Sequence, residues 1–176
     1  MDKYILGLDP STKSTGYSVT KNGQLIESGV ITAGSANLYN RIHKIMTELK
    51  IILDKYNFSG CIVEDVIPED VRHNNNVFKP LMYLQGFLCD LLNDYNIKPD
   101  FYLASEWRKR CGIKTGAGVH RESLKKVDKL FVKKMYNLDV NDDEADAICI
   151  NFAYTHEPLP VVDNKIIKDE FGFEFA

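Results

Sequence analysis

Four acidic residues stand where acids have no obvious structural reason to be. Asp9 closes an apolar run, Ile5-Leu6-Gly7-Leu8, and Glu64 closes a second one, Cys61-Ile62-Val63. Both runs read as buried strands, so each carboxylate falls where a strand reaches the edge of its sheet and meets solvent. Asp143 and Asp146 are three residues apart at the start of an apolar segment, Ala145, Ala147, Ile148 and Ile150, and that spacing puts both on one helix face. Left unpaired, such a set repels itself and each group raises its neighbours' pKa values. A divalent cation removes that cost. Carboxylate oxygens suit Mg²⁺ and Mn²⁺, and two such ions would clamp the attacking and leaving oxygens of a phosphodiester displacement.

Each acid also has an ordinary explanation. Asp143 and Asp146 favour a helix N-terminus through the macrodipole, with Asp142 expected as the N-cap, and Asp9 before Pro10-Ser11 is a reasonable turn residue. Taken together, in this order and at these element ends, the four read better as one site than as four separate accidents.

The elements that must position them follow from periodicity. Residues 4–9, 15–20 and 25–32 read as strands, the last two joined by the hairpin signal Asn22-Gly23. Ile42, Ile45, Met46, Leu49, Ile52 and Leu53 have helical spacing and place a helix at 38–56. A strand is expected at 61–66, a polar loop at 68–75, a helix at 77–95 and a short strand at 101–104. A basic, glycine-containing segment (108–118) leads to helices at 120–136 and 142–154. The order β-β-β-α-β-α-β-α-α predicts an α/β fold: a five-stranded mixed sheet, three antiparallel strands then parallel ones, with helices on both faces. The body is expected to span residues 1–155, followed by an acidic tail at 156–176.

Charge is unevenly distributed. The net charge is −3, but from Trp107 to Met135 there are ten Lys and Arg against two acids, and from Tyr136 onward ten acids against two Lys. Such asymmetry points to an anionic partner for the basic stretch. Arg108, Lys109, Arg110, Lys114, Arg121 and Lys125 are the expected phosphate contacts, with Gly112, Gly116 and Gly118 letting a backbone approach a duplex. Lys126, Lys129, Lys133 and Lys134 read equally well as a solvated helix face.

Several classes are disfavoured. No apolar run approaches the roughly 18 residues of a membrane span, and no signal-type segment opens the chain, which points to the cytoplasm. The four cysteines and four histidines form no zinc pattern. No G-x-x-x-x-G-K motif is present, so no nucleotide cofactor is expected.

The pattern resembles a known family. Ile5-Leu6-Gly7-Leu8-Asp9-Pro10-Ser11 followed by Thr15-Gly16-Tyr17 is similar to the opening motif of RuvC-type Holliday-junction resolvases. Ile62-Val63-Glu64 resembles their second motif, and Asp143-Glu144-Ala145-Asp146-Ala147-Ile148 their closing D-x-x-D-A motif. Leu84-Gln85-Gly86 falls where they carry a Leu- and Gly-containing helix segment, and the Trp107-Arg108-Lys109 wording looks more like the phage-type branch.

The resemblance covers roughly residues 4–154. It implies a ribonuclease H-like fold and a homodimer that nicks four-way DNA junctions in pairs during recombination, repair or phage DNA processing. It also implies two Mg²⁺ or Mn²⁺ ions per site held by Asp9, Glu64, Asp143 and Asp146. Asp9 would bridge both ions, with Lys114 a candidate to stabilise developing charge. The match departs after Glu64, where Val66-Ile67-Pro68 stands in place of an aromatic residue.

Two rival readings stay open, and a third is disfavoured. One is an RNA-processing nuclease of the same fold, and another a non-catalytic junction-binding protein, although none of the four acids is missing. The Gly-x-Asp opening also resembles the phosphate motif of sugar-kinase and actin-like ATPases, which need a second such domain.

Overall fold

The computed structural model describes residues 2–34, 37–66, 75–116 and 118–162. Three strands open the chain: β1 (Tyr4–Asp9), β2 (Ser14–Lys21) and β3 (Gln24–Thr32). Then come α1 (Leu38–Lys55), β4 (Phe58–Glu64), α2 (Asn75–Asp94), β5 (Pro99–Tyr102), α3 (Ala104–Arg110), α4 (Arg121–Tyr136) and α5 (Asp142–Thr155). The strands form one sheet in the order β3-β2-β1-β4-β5. The β1–β2 and β2–β3 pairs are antiparallel, and β1–β4 and β4–β5 are parallel. The expected mixed sheet is therefore present.

Alternation along the central strands sorts side chains between two cores. Leu6, Leu8, Cys61 and Val63 point to one face, where Ile45, Leu49 and Ile52 of α1 and Leu84, Leu88 and Leu92 of α2 cover them. Ile5 and Ile62 point to the other, against Trp107 of α3, Val127 and Val132 of α4, and Ile148 and Phe152 of α5. A period of two thus assigns Gly7 and Asp9, and likewise Glu64, to the α5 face.

Local chemistry sets the boundaries. Asn22 and Gly23 both have positive φ (52° and 82°), as a tight two-residue hairpin turn requires. α1 starts at Asn37, whose side chain accepts from the Asn40 amide. α4 ends on Asn137 in the left-handed conformation.

The sequence expectations need four corrections. β4 runs from Phe58 to Glu64 rather than over 61–66, because Gly60 continues the strand instead of flanking it. Residues 104–110, expected as a strand end and a loop, form α3, closed at its start by Glu106 accepting from the Leu103 amide at 2.8 Å. Asp142 is not the cap of α5: Asn141 is, accepting from the Glu144 amide, while Asp142 pairs with Lys129 at 2.8 Å. Gly112 does not offer its backbone to a duplex. A Cβ there would lie 2.7 Å from the Pro160 carbonyl, and the chain after α5 packs on this spot, with Leu159 and Val162 amides donating to Arg110 and Gly112 carbonyls.

The expected loop at 68–75 lies largely outside the described residues, as does the tail beyond residue 162. Among the described residues no helix is long and apolar enough to cross a membrane.

Candidate active site

The site is built where the first parallel strand pair ends. Leu8 pairs with Val63, so the next residues, Asp9 and Glu64, stand side by side at the carboxyl ends of β1 and β4. Open α/β sheets place ligands at that edge. The two remaining acids arrive on α5, which lies on β1 and β2 with almost no spacing. A Cβ on Gly7 would meet the Asn151 Cβ at 2.6 Å, and one on Gly16 would collide with the Asp143 backbone carbonyl.

Polar contacts hold this seat. Asn151 donates to the carbonyls of Ile5 (3.1 Å) and Ser18 (3.2 Å) and accepts from Thr20 (3.0 Å), while Ser18 Oγ donates to the Ala147 carbonyl (2.7 Å). All are buried, so losing one partner would strand a polar group at a cost of about 1–3 kcal/mol.

Asp9, Glu64, Asp143 and Asp146 consequently line one cleft of about 710 Å³. Burial, then Glu64, Asp146 and Asp143 in that order, hold the Asp9 carboxyl well above the usual carboxylate range. Burial and Asp146 raise Glu64, opposed by the Trp107 indole and by Arg108 and Arg121. Burial raises Asp146 as well, against the pull of Arg108 and Lys125. The nearby cations thus offset only part of the repulsion.

Two acids have fixed partners. Trp107 Nε1 donates to Glu64 Oε2 at 2.9 Å, and Ser14 Oγ donates to Asp143 Oδ2 at 2.5 Å. Asp146 Oδ1 is buried and accepts no hydrogen bond.

That orphaned oxygen, beside carboxylates that raise one another's pKa values, is the donor chemistry a hard cation satisfies. The residues fit a divalent metal as an open set. Among the described residues no three His, Cys, Asp or Glu side chains are already gathered into a group that could hold an ion.

The predicted cations divide. Arg121 and Lys125 line the cleft, with Lys125 Nζ 3.9 Å from Asp146 and 3.7 Å from Asp142. Arg108 lines it too, but is buried, with its guanidinium engaged by Asp128. Lys109 and Lys114 are exposed outside the cleft lining. Arg110 turns away, donating to the Ala153 carbonyl at 2.7 Å with its guanidinium over the Tyr102 ring.

Sequence reasoning passed over Lys13 and Arg41, which also line the cleft, and Ser14, Trp107 and Asp128. One signal was available. Asp128 is one of only two acids in the basic stretch, and it shares the face of Val127 and Val132, where a lone acid calls for a partner.

The comparisons with known proteins agree with this architecture. The family model described as crossover junction endodeoxyribonuclease RuvC matches residues 5–156. RuvC of Ehrlichia ruminantium (strain Gardel) is 27% identical over 154 residues, covering 82% of this chain and 94% of that protein. An uncharacterized protein of Ureaplasma parvum is 23% identical over 167 residues, 88% of this chain and 71% of its own length.

Among solved structures, Thermus thermophilus RuvC in complex with a Holliday junction substrate superposes with a TM-score of 0.68 at 15% identity, covering 89% of this chain and 99% of that one. The yeast mitochondrial Holliday junction resolvase gives 0.56 at 13% identity, over 86% and 77%. The folds are shared, and the family match spans both strand-end acids and the α5 pair. This chain belongs to the RuvC family of crossover junction endodeoxyribonucleases, which are hydrolytic, metal-dependent nucleases.

Proposed function

We propose that the cleft bounded by β1, β4 and α5 is the catalytic centre of a structure-selective endonuclease that nicks four-way DNA junctions. Asp9, Glu64, Asp143 and Asp146 would hold its divalent ions, Mg²⁺ or Mn²⁺, two per site. The observation that carries this reading is the buried, unbonded Asp146 Oδ1 among carboxylates that raise one another's pKa values. Bound there, such ions supply an activated water and shield the charge that develops on the phosphodiester.

The chain's own groups have separate tasks. β1 and β4 present Asp9 and Glu64 from rigid strand ends, and α5 delivers Asp143 and Asp146 as one unit. Ser14 orients Asp143, and Trp107 orients Glu64. Lys13, Arg41, Arg121 and Lys125 line the cleft and suit a phosphate backbone, and Lys109 and Lys114, exposed outside its lining, would add further phosphate contacts. Contacts of this kind position DNA without reading its sequence.

Paired nicking needs two sites on one junction, which a dimer supplies. α2 buries Leu84, Leu88 and Leu92, yet leaves Tyr83 and Phe87 exposed one turn apart. This second apolar stripe supports a symmetric helix-to-helix contact. A cytoplasmic location, where recombining DNA is accessible, accords with this activity.

The test is cleavage of four-way, three-way, flap and duplex DNA, beside an RNA duplex, in Mg²⁺ and in Mn²⁺. The four-way junction is expected to be nicked symmetrically. Asp146→Asn should abolish nicking while junction binding in Ca²⁺ persists; a variant that still cleaves would remove Asp146 from the site.

A further inference from the structure

Among the described residues, Asp128 is the one buried acid near the site that does not line the cleft. It lies fully buried on α4, inside the most basic stretch of the chain. Both its oxygens accept from Arg108, and its carboxyl also lies within hydrogen-bonding reach of the Asp146 carboxyl. Arg108 Nε reaches Oδ2 at 3.0 Å and Oδ1 at 3.3 Å, and Nη2 reaches Oδ2 at 2.9 Å. The guanidinium held in this fork lies over the Trp107 ring, 4.1 Å from its centroid. The edge of that ring is the donor to Glu64.

The other end of the arrangement is Asp146. The same Nη2 that binds Asp128 stands 3.7 Å from Asp146 Oδ1, at ion-pair distance but beyond hydrogen-bond range of an oxygen that accepts no N–H or O–H hydrogen bond. A charge-assisted N–H···O bond closes at about 2.7–2.9 Å. The guanidinium therefore stands beside Asp146 without a hydrogen bond to it. A planar, bidentate fork fixes this stand-off in a way that a single-point cation could not.

We propose that Asp128 is a positioning residue: by clamping Arg108 it keeps the guanidinium off Asp146, leaving Asp146 Oδ1 free to bind a divalent cation, while the same guanidinium packs the indole that holds Glu64. The inference rests on the reading that these acids bind metal. It assigns Arg108 to the inner wall of the site rather than to the DNA.

Loss of the Asp128 charge would release Arg108 onto Asp146, where it competes with the cation. Mn²⁺ alone, titrated calorimetrically into the full chain without DNA, reads this directly. Asp128→Asn keeps the shape of the side chain and is expected to weaken Mn²⁺ binding by about 10-fold or more, the usual consequence of losing a group that supports a metal ligand. Arg108→Lys, which keeps both charges but loses the fork, carries the same expectation and serves if Asp128→Asn does not fold.

The decisive variant is the double Arg108→Met/Asp128→Leu. It replaces a buried ion pair with apolar groups, a change that interiors tolerate, and it removes the competing cation. Its Mn²⁺ affinity should return to within about threefold of wild type, well inside the loss expected for the single variants. Unchanged affinity in the folded single variants would overturn the proposal, and so would a double variant that stays as weak as they are. A wild-type chain that shows this Mn²⁺ pattern but nicks no junction would instead remove the proposed junction-nicking activity and leave the positioning role standing.

Discussion

Gly16 and Asp143 meet backbone to backbone: the hydrogen on the Gly16 Cα faces the Asp143 carbonyl, and a methyl group there would overlap it. This contact sets how deep α5 sits on the sheet, and so how close Asp143 and Asp146 come to Asp9. Ser14, two residues before Gly16 on β2, bonds the Asp143 side chain, so the strand fixes both the backbone and the carboxylate of that residue.

Gly16→Ala should therefore damage site and fold together. Overpacking of this kind typically costs about 1–3 kcal/mol. The helix would have to lift at its N-terminus, so nicking should fall by about 10-fold or more even at temperatures where the variant is fully folded. Thermal unfolding followed by circular dichroism, with nicking rates measured well below the transition, separates the two effects. A variant with lowered stability but wild-type nicking would show that α5 tolerates the shift.

Asp9→Asn should lose nicking by on the order of a thousandfold, as expected when one member of a catalytic unit is removed. It should also stabilise the protein in EDTA, and the pH dependence carries the sign. The folded-state pKa of Asp9 is raised by burial and by Glu64, Asp146 and Asp143. The folded protein therefore binds the proton more tightly than the unfolded chain does. The resulting stability is present below the ordinary carboxylate range and is lost as pH rises through the raised value. The advantage of Asp9→Asn over wild type should thus grow as pH rises above the ordinary carboxylate range, read as a widening difference in Tm between the two. Excess Mg²⁺ should shrink that advantage by stabilising wild type. An advantage that is flat with pH would mean that Asp9 is not strained in the metal-free protein.

Arg121→Ala and Lys125→Ala should each weaken junction binding in Ca²⁺ and lower the slope of log K against log salt by about one. Arg110→Ala should leave that slope unchanged, because its guanidinium is committed to the Ala153 carbonyl and the Tyr102 ring away from the cleft. Filter binding or fluorescence anisotropy across a salt series provides the comparison. An equal fall in slope for Arg110→Ala would extend the DNA surface around the molecule.

Phe87→Glu tests the dimer. Phe87 is 53% exposed, so the substitution should leave the monomer fold intact. In a paired interface it would bury charge against charge. Sedimentation should show wild type as a dimer at micromolar concentration and the variant as a monomer. The variant should still make single nicks but lose the paired, symmetric product. A wild-type chain that sediments only as a monomer would sink this assignment.

Much of this architecture is legible in the residues themselves, because it depends on short-range physics. Period-two alternation placed Asp9 and Glu64 at strand ends, Asn22-Gly23 turned the hairpin, and helical spacing brought Asp143 and Asp146 to one face. The expected four acids share one cleft.

α3 was harder to see, since seven residues carry too little periodicity to separate a helix from a basic loop. The cap of α5 was misplaced by one residue because Asn141, Asp142 and Asp143 are all good capping residues, and only the backbone reveals whose side chain meets the Glu144 amide.

Composition marked residues 107–135 as basic, but charge carries no direction until the elements pack. Tertiary structure alone decided that Arg121 and Lys125 face the cleft, that Arg110 turns to α5, and that Arg108 is taken by a buried acid 20 positions along the chain. It also decided that Trp107 and Ser14 hold two of the acids, through contacts that span 43 and 129 residues. Which acids could form a site follows from local periodicity. What holds each of them follows from the docking of α3, α4 and α5 on one sheet face, a long-range arrangement that no local pattern encodes.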